Sequence, residues 1–489
     1  MAAYHRTVAR HVTNALPAWR AAMTVADRLY YITTGTPEDA PALTGAPTHM
    51  GNTGAGYLGA GWDVISGYSS GTHIADLGGS FGSIVYGTGG HKIIANQLLR
   101  LNLNEDAPSF SWWQTPVYKT SDTGSADLYY SPSEQATLIA GGRGLAAQID
   151  WDGGSETSAS VTRWDRAFPV AFDGWIFPRK ITTGQMGDGA PHGFRYSNQC
   201  YLPASITGTD PMYWVGLGPQ GPFVQSYAPS GVTDSEWVDA SALSGVARRW
   251  PYHFKNVTTG AWTVHQWQPA GSSLNGFGGQ RVGLFTDNKR MYVCCFISGS
   301  PSYYYVDFTS GYAGHTISTP VTGLLQMSKY SAGAFSEGDA YGRHFCVAPA
   351  RLGASTSKIT VYDFDTDTSF YVDFAADGMA IHEDNEWVGT SYDKTNQRVL
   401  IVVRDLSTYV VTYWVITPPA GPGLSSSGWT AEERTLTFDD AGMPAIYEVS
   451  PTGGEGYSHC YGKVQYLPDL DVIPVPANRR RMLGFRPSV

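Results

Sequence analysis

The chain has 489 residues and a formal net charge of −10, with 32 lysines and arginines against 42 aspartates and glutamates. This balance argues against nucleic acid as the main partner, because phosphate binding needs clustered cations. Charged residues make up only 15% of the chain, whereas glycine, tyrosine and tryptophan number 57, 30 and 15. Such a composition indicates a turn-rich, all-β protein.

The N-terminal sequence, Met-Ala-Ala-Tyr-His-Arg, lacks the apolar core and cleavage site of a signal peptide. Nothing in the chain approaches eighteen uninterrupted apolar residues, so we expect no membrane span. We therefore predict folding in a cytoplasm. The low charge and the many aromatic, serine, threonine and glycine residues are instead typical of proteins that work outside cells, and a virus particle reconciles the two observations.

Residues 1–50 differ in pattern from the rest of the chain. Val8, Val12 and Leu16 recur at helical spacing, and Pro17 can open a short turn that Trp19 follows. Residues 28–33, Arg-Leu-Tyr-Tyr-Ile-Thr, predict a strand. We treat residues 1–50 as a docking and closure segment and residues 51–489 as the main domain.

From about residue 50 onward a β-hairpin pattern takes over. Its clearest example is residues 359–374, in which two strands rich in branched and aromatic residues flank a turn of aspartates and threonines. Alternation places Thr360, Tyr362 and Phe364 on one face of the first strand and Ile359 and Val361 on the other. Further hairpins are predicted at residues 98–113, 253–267, 303–310 and 399–416.

The hairpins recur with a period that indicates one repeated unit. Polar turns about 50 residues apart, as in propeller blades with four strands each, fall near Asn102, Asp150, Asn256, Asp307, Asp363, Asp405 and Pro451. A unit with its turn near Thr207 fills the longest interval. These marks predict a single β-propeller of six to eight four-stranded blades, with seven favoured.

A second repeat marks the inner part of a blade. Residues 196–203 and 461–468 share a tyrosine, four residues and then Tyr-Leu-Pro. The last part of the chain shows only three strand candidates, at 464–467, 472–475 and 482–485. We therefore predict that residues 28–33 supply the fourth strand and close the ring, because closure protects the sheet edge.

Double glycines at 89–90, 141–142, 278–279 and 453–454 precede strand, polar turn and aromatic residue. Together with residues 187–203 and 461–468, they resemble kelch and galactose-oxidase-like propellers of the kind found in bacteriophage genomes. The resemblance runs from about residue 60 to the end. It implies a propeller fold, and function has to be argued from sites because propellers host many activities.

Several motifs could carry chemistry, and each has a simpler explanation. Ser69 lies in a G-x-S-x-G match, but no helix pattern follows it. Asp363, Asp365 and Asp367 have the spacing of a calcium loop, yet Thr368 replaces the required glycine, which favours a plain hairpin turn. The chain also has an acidic run at residues 383–386 and a basic run at residues 479–481, and we interpret both as exposed turns.

The five cysteines show no disulfide or zinc framework. A copper oxidase of the galactose-oxidase kind would place cysteine beside tyrosine with histidine nearby, as at Cys200–Tyr201 with His192 and Cys460–Tyr461 with His459. Adjacent strand residues point to opposite faces, which argues against such a site. We expect no catalytic centre, no cofactor and no obligatory metal.

Three functions remain open: a non-enzymatic structural or host-attachment component of a phage virion, a carbohydrate-active enzyme such as a depolymerase or lyase, and a cytoplasmic kelch-type interaction module. We favour the first, with other tail proteins and bacterial surface polysaccharide as partners and an oligomeric arrangement in the particle. The apolar groups predicted to dock to virion proteins are Tyr4, Val8, Val12, Leu16 and Trp19. In the alternative interpretation, this segment packs across its own propeller.

Overall fold

The protein is an all-β propeller with six blades arranged in a ring. Its computed structural model describes residues 15–33, 70–87, 98–114, 164–165, 179–180, 199–216, 250–260, 262–267, 281–297, 300–328, 333–352, 355–382, 386–405, 410–439, 463–476 and 482–489. Helix is confined, in these residues, to α1 (Ala18–Ala21), α2 (Ala204–Thr207) and a 3-10 turn at Ala375–Asp377. None of these helices is long and apolar enough to cross a membrane.

The first three blades follow the chain, each strand antiparallel to the next. Blade 1 contains β2 (Gly71–Ile74), β3 (Ser83–Gly87), β4 (Leu98–Asn102) and β5 (Phe110–Gln114). A separate pair, β6 (Trp164–Asp165) and β7 (Arg179–Lys180), precedes blade 2, which contains β8 (Gln199–Leu202), β9 (Met212–Gly216), β10 (Trp250–Asn256) and β11 (Trp262–Trp267). Blade 3 contains β12 (Arg281–Phe285), β13 (Arg290–Ile297), β14 (Ser300–Asp307) and two short outer strands, β15 (Thr316–Ile317) and β16 (Val321–Thr322).

The last three blades include the one that the chain ends share. Blade 4 contains β17 (Ala334–Phe335), β18 (Phe345–Pro349), β19 (Lys358–Asp363) and β20 (Thr368–Asp373). Blade 5 contains β21 (Glu386–Asp393), β22 (Arg398–Asp405), β23 (Val411–Thr417) and β24 (Thr430–Thr435). Blade 6 contains β26 (Ile473–Pro476), β27 (Met482–Phe485), β1 (Arg28–Tyr31) and β25 (Thr437–Phe438).

The sequence pattern of the strands follows from their burial on two faces. In the predicted hairpin of residues 359–374, which the structure confirms as β19 and β20, Ile359 and Val361 pack in the core cluster shared with blade 5. Tyr362 and Phe364 pack in the cluster shared with blade 3. Each sheet therefore contributes to two cores, because successive side chains alternate between its faces.

The innermost strands define the ring. Contacts join β2 to β8, β8 to β12, β12 to β17 and β17 to β21. Residues 463–467 complete the circle, since the Tyr466 amide donates to Ser391 Oγ at 2.6 Å and the His73 amide donates to Gln465 Oε1 at 2.8 Å. The six blades thus close on each other between blade 6 and blade 1.

Six blades lie within the predicted range, one below the favoured seven. Thr207, taken as the turn of an additional unit, lies in α2 between β8 and β9, in the same blade as Asn256. Asp150 lies outside the described residues. The favoured number exceeds the observed one because the turns near Thr207 and Asn256 belong to one blade and were counted as two units.

The N-terminal strand closes the ring as predicted. β1 pairs antiparallel with β27, with Tyr30 opposite Gly484 and Tyr31 opposite Leu483, and it pairs in parallel with β25 on its other side. Leu29 and Ile32 are fully buried. Blade 6 is therefore built from both ends of the described chain.

Removing the closing strand should destabilise the whole ring. Deletion of residues 1–33 exposes the partners of five buried side chains, each contributing roughly 2 kcal/mol, namely Trp19, Met23, Leu29, Tyr30 and Ile32. We expect the free energy of unfolding to fall by at least about 5 kcal/mol, measured by denaturant titration. Deletion of residues 1–14 is the control, and equal stability of the two truncated proteins would contradict closure by β1.

Candidate functional site

We call one end of the ring the turn face. In blades 1 to 5 it carries the connections between the first and second strands and between the third and fourth strands, and in blade 6 it carries the turn between the inner segment 463–467 and β26. It consists of residues 75–82, 103–109, 203–211, 257–260, 286–289, 308–315, 337–344, 364–367, 394–397, 418–429 and 468–471. The chain enters the described part of the structure at this face, because α1 lies beside Leu103, Asp106 and Leu470.

Tyrosine hydroxyls join neighbouring blades along the turn face. Each of four tyrosines donates to an aspartate on an adjacent blade, in the pairs Tyr201–Asp76, Tyr303–Asp367, Tyr392–Asp339 and Tyr413–Asp27. Burial, together with the adjacent carboxylate, raises the pKa of all four phenols. The phenols therefore stay protonated and act as hydrogen-bond donors between blades.

A histidine makes a further connection between blades 3 and 4. His344 lies between two carboxylates, with Nδ1 at 2.7 Å from Asp365 Oδ1 and Nε2 at 3.0 Å from Asp287 Oδ2. Burial disfavours its protonation, but the hydrogen bonds and charges of Asp365 and Asp287 outweigh burial and raise the pKa. The protonated ring then bridges blade 4 to blade 3.

This histidine should make stability depend on pH. Because the folded-state pKa lies above the unfolded value of 6.5, the stabilisation is fully present below about pH 6.5 and is lost as the pH rises through the folded-state value. The substitution His344→Gln should therefore cost about 1 kcal/mol in acid and less at alkaline pH, as measured by denaturant titration across pH 5–9.

His315 offers a matched control because burial lowers its pKa. The cost of His315→Gln should grow as the pH rises, which is the opposite trend, since the folded state prefers the neutral ring. A cost of His344→Gln that does not change with pH would show that the two carboxylates do not hold the protonated form.

The three aspartates with calcium-loop spacing do not converge on one point. Asp363 accepts the Asp365 amide at 3.0 Å, Asp365 binds His344, and Asp367 accepts the Tyr303 hydroxyl. Within the described residues no three histidine, cysteine, aspartate or glutamate side chains form a metal-binding group. The three aspartates belong to the hairpin of β19 and β20, and Asp367 also connects blade 4 to blade 3 through Tyr303, a contact that the sequence did not predict.

The cysteine and tyrosine of the copper-type pair diverge. Cys200 is buried in the core between blades 2 and 3, where burial raises the thiol pKa, whereas Tyr201 faces blade 1. Cys200 and Tyr201 thus point to opposite faces of β8. The remaining motif residues lie outside the described side chains: Ser69, His192, residues 383–386, His459, Cys460, Tyr461 and residues 479–481.

Two of the five predicted docking residues lie in the described part of the chain, and they differ in exposure. Leu16 is 44% exposed, whereas Trp19 is only 5% exposed and its Nε1 donates to the Leu103 carbonyl of blade 1 at 3.3 Å. Trp19 therefore packs against its own propeller and is unavailable to a partner, because its ring completes the core between blades 6 and 1. Tyr4, Val8 and Val12 lie outside the described residues.

Comparison with known proteins does not assign the chain to a family. No protein-family model and no curated protein matches the chain. A prolyl endopeptidase structure is 12% identical, with a TM-score of 0.22, over 39% of this chain and 27% of that chain. The propeller domain of the Trilobed protease from Pyrococcus furiosus is 10% identical, with a TM-score of 0.24, over 76% and 95%, and prolyl oligopeptidase B from Galerina marginata is 10% identical, with a TM-score of 0.29, over 79% and 53%. Matches at these TM-scores carry no argument about activity.

Proposed function

We propose that the chain is a non-enzymatic structural or host-attachment component of a bacteriophage particle, located in a tail, fibre or spike. The propeller serves as a rigid platform, and the N-terminal segment attaches it to other virion proteins. The observation that carries the proposal is that one short segment both closes the ring and presents apolar side chains to solvent.

The N-terminal segment exposes several apolar side chains to solvent. Leu16 and Val25 are 44% and 45% exposed, and Ala21 and Ala22 between them are exposed as well. These four exposed apolar residues within ten positions of the chain favour contact with another protein. In the sequence, Val8 and Val12 continue the helical spacing that ends at Leu16.

The same segment continues directly into the structure of the ring. Asp27, immediately before β1, accepts the Ser488 amide at 2.8 Å and the Tyr413 hydroxyl, while Arg486 binds Asp471 at 3.1 Å. A load applied to the N-terminal segment therefore passes into a strand that is paired on both sides. This attachment suits a platform that must stay fixed in an assembly.

The tyrosine–aspartate pairs indicate a structural role for the phenols whose pKa is strongly raised at the turn face. Strongly shifted pKa values often mark catalytic residues, but ion-pair and hydrogen-bond networks shift them as well. Tyr201 and Tyr303 each bind one aspartate across a blade interface. Their chemistry is thus used for joining blades.

Charges placed on the exposed apolar side should block assembly without unfolding the ring. We expect the double variant Leu16→Asp with Val25→Asp to melt like the wild type but to be depleted at least about tenfold from purified particles, because a buried unpaired charge opposes docking. The measurement is quantitative mass spectrometry of particles assembled from a phage genome that encodes each variant.

Val410→Asp is the matched control, since Val410 is 45% exposed on blade 5. Trp19→Ala serves as the opposite control, which should lower the melting temperature because a buried tryptophan is lost. Absence of the wild-type chain from particles would refute the virion role, and normal incorporation of the double variant would refute docking by this segment.

A further inference from the structure

The connection between β17 and β18, residues 337–344, which we call the Tyr341 loop, is built around a buried ion pair. Arg343 Nη2 lies 2.9 Å from Asp339 Oδ2 and Nε lies 3.0 Å from Oδ1, and both side chains are almost fully buried. Arg343 Nη1 also donates to the Pro419 carbonyl at 2.7 Å, and the Tyr392 hydroxyl donates to Asp339 at 3.2 Å. The pair thereby fastens the loop to blade 5.

A second set of bonds fixes the outer part of the same loop. The Ala340 amide donates to Gln397 Oε1 at 2.6 Å, and Gln397 Nε2 donates to the Gly338 carbonyl at 3.1 Å. Burying two charges costs solvation free energy, and such pairs serve conformational specificity better than stability. The loop is therefore held in one conformation at some energetic cost.

The side chain that this conformation displays is Tyr341. Its amide donates to Asp339 Oδ1 at 2.9 Å, and the Arg343 guanidinium lies 4.9 Å from the centroid of its ring. One ring face is thus covered by a cation, yet the residue is 48% exposed. Among the described aromatic side chains it is the exposed one, so the loop presents a firmly held aromatic side chain to solvent.

We propose that Tyr341 is a stacking platform for a neutral saccharide, an inference that rests on the proposed attachment function. A pyranose ring offers a flat C–H face for an aromatic ring and hydroxyl groups at its edge. Lys394 is exposed in the blade 5 turn that bonds to this loop through Gln397, and its ammonium group can meet such hydroxyls, whereas the Glu337 carboxylate accepts the Leu284 amide at 3.2 Å. A rigid aromatic anchor binds with little loss of side-chain entropy.

The surroundings of Tyr341 fit a sugar better than a protein. Protein hot spots lie within a larger apolar patch that excludes water. Around Tyr341 the exposed neighbours within the loop are Glu337, Gly338, Ala340 and Gly342, which offer little apolar area. The charges of Asp339 and Arg343 beside the ring compensate each other, which favours a neutral ligand over a charged one.

The test uses the full-length chain and an array of neutral oligosaccharides built from glucose, galactose, mannose, rhamnose and N-acetylhexosamines. The best-binding oligosaccharide is then titrated by calorimetry against three variants. We expect Tyr341→Ala to weaken binding about tenfold, Tyr341→Phe to bind nearly as the wild type because the ring face is kept, and Leu352→Ala to have no effect. Leu352 is the matched control, since it is also 48% exposed and follows β18 in blade 4.

Two results would overturn the inference: no oligosaccharide on the array binds, or Tyr341→Ala binds as tightly as the wild type with an unchanged melting temperature. If Tyr341→Ala instead abolishes contact with another virion protein while no oligosaccharide binds, the platform recognises protein and the saccharide proposal is wrong. Incorporation of Tyr341→Ala into particles is measured alongside, and normal incorporation without saccharide binding overturns this inference while leaving the virion role intact.

Discussion

Hydrogen bonds from tyrosine hydroxyls to aspartates on the next blade fix how the sheets of this propeller meet. Apolar packing between two sheets is favourable but not directional, so it leaves their sliding weakly determined. A buried hydroxyl costs free energy unless it is bonded, and Tyr392 reaches its buried partner, Asp339, in only one alignment. Tyr201 and Tyr413 set the alignment of two further interfaces in the same way. The abundance of tyrosine thus has a structural use beyond core volume.

The side chains of the closing strand β1 pack into two different cores. Leu29 joins the core that blade 6 shares with blade 5, while Tyr30 and Ile32 join the core between blade 6 and blade 1. One strand therefore contributes to both interfaces of blade 6, which is why its loss should be felt around the ring. Trp19, a short distance upstream, extends the second core beyond the sheet.

Local pattern predicted the elements that depend on local chemistry. Alternation identified the hairpins at residues 359–374 and 399–416, and the Tyr-Leu-Pro repeat marked the ends of equivalent inner strands at Leu202 and Leu467. The inward packing of Trp19 and the bridge made by His344 had no such signal. Both depend on partners far away in sequence, Leu103 for the indole and Asp287 for the imidazole. The six observed blades lie within the predicted range, and the favoured seven was one too many because a turn's composition does not reveal which strands it joins.

The order of the blades in the ring determines whether the proposed docking by the N-terminal segment and the proposed saccharide binding at Tyr341 can occur together. In a ring of six, blade 4 lies opposite blade 1, so the Tyr341 loop and the N-terminal segment on blades 6 and 1 occupy opposite sides of the turn face. A partner bound at Leu16 and Val25 therefore leaves Tyr341 accessible. Because the blades between them are joined by bonded tyrosines and by His344, the two sites keep a fixed separation. In the proposed attachment role, the ring would hold a bound ligand at a set position relative to the particle, which needs no change of conformation.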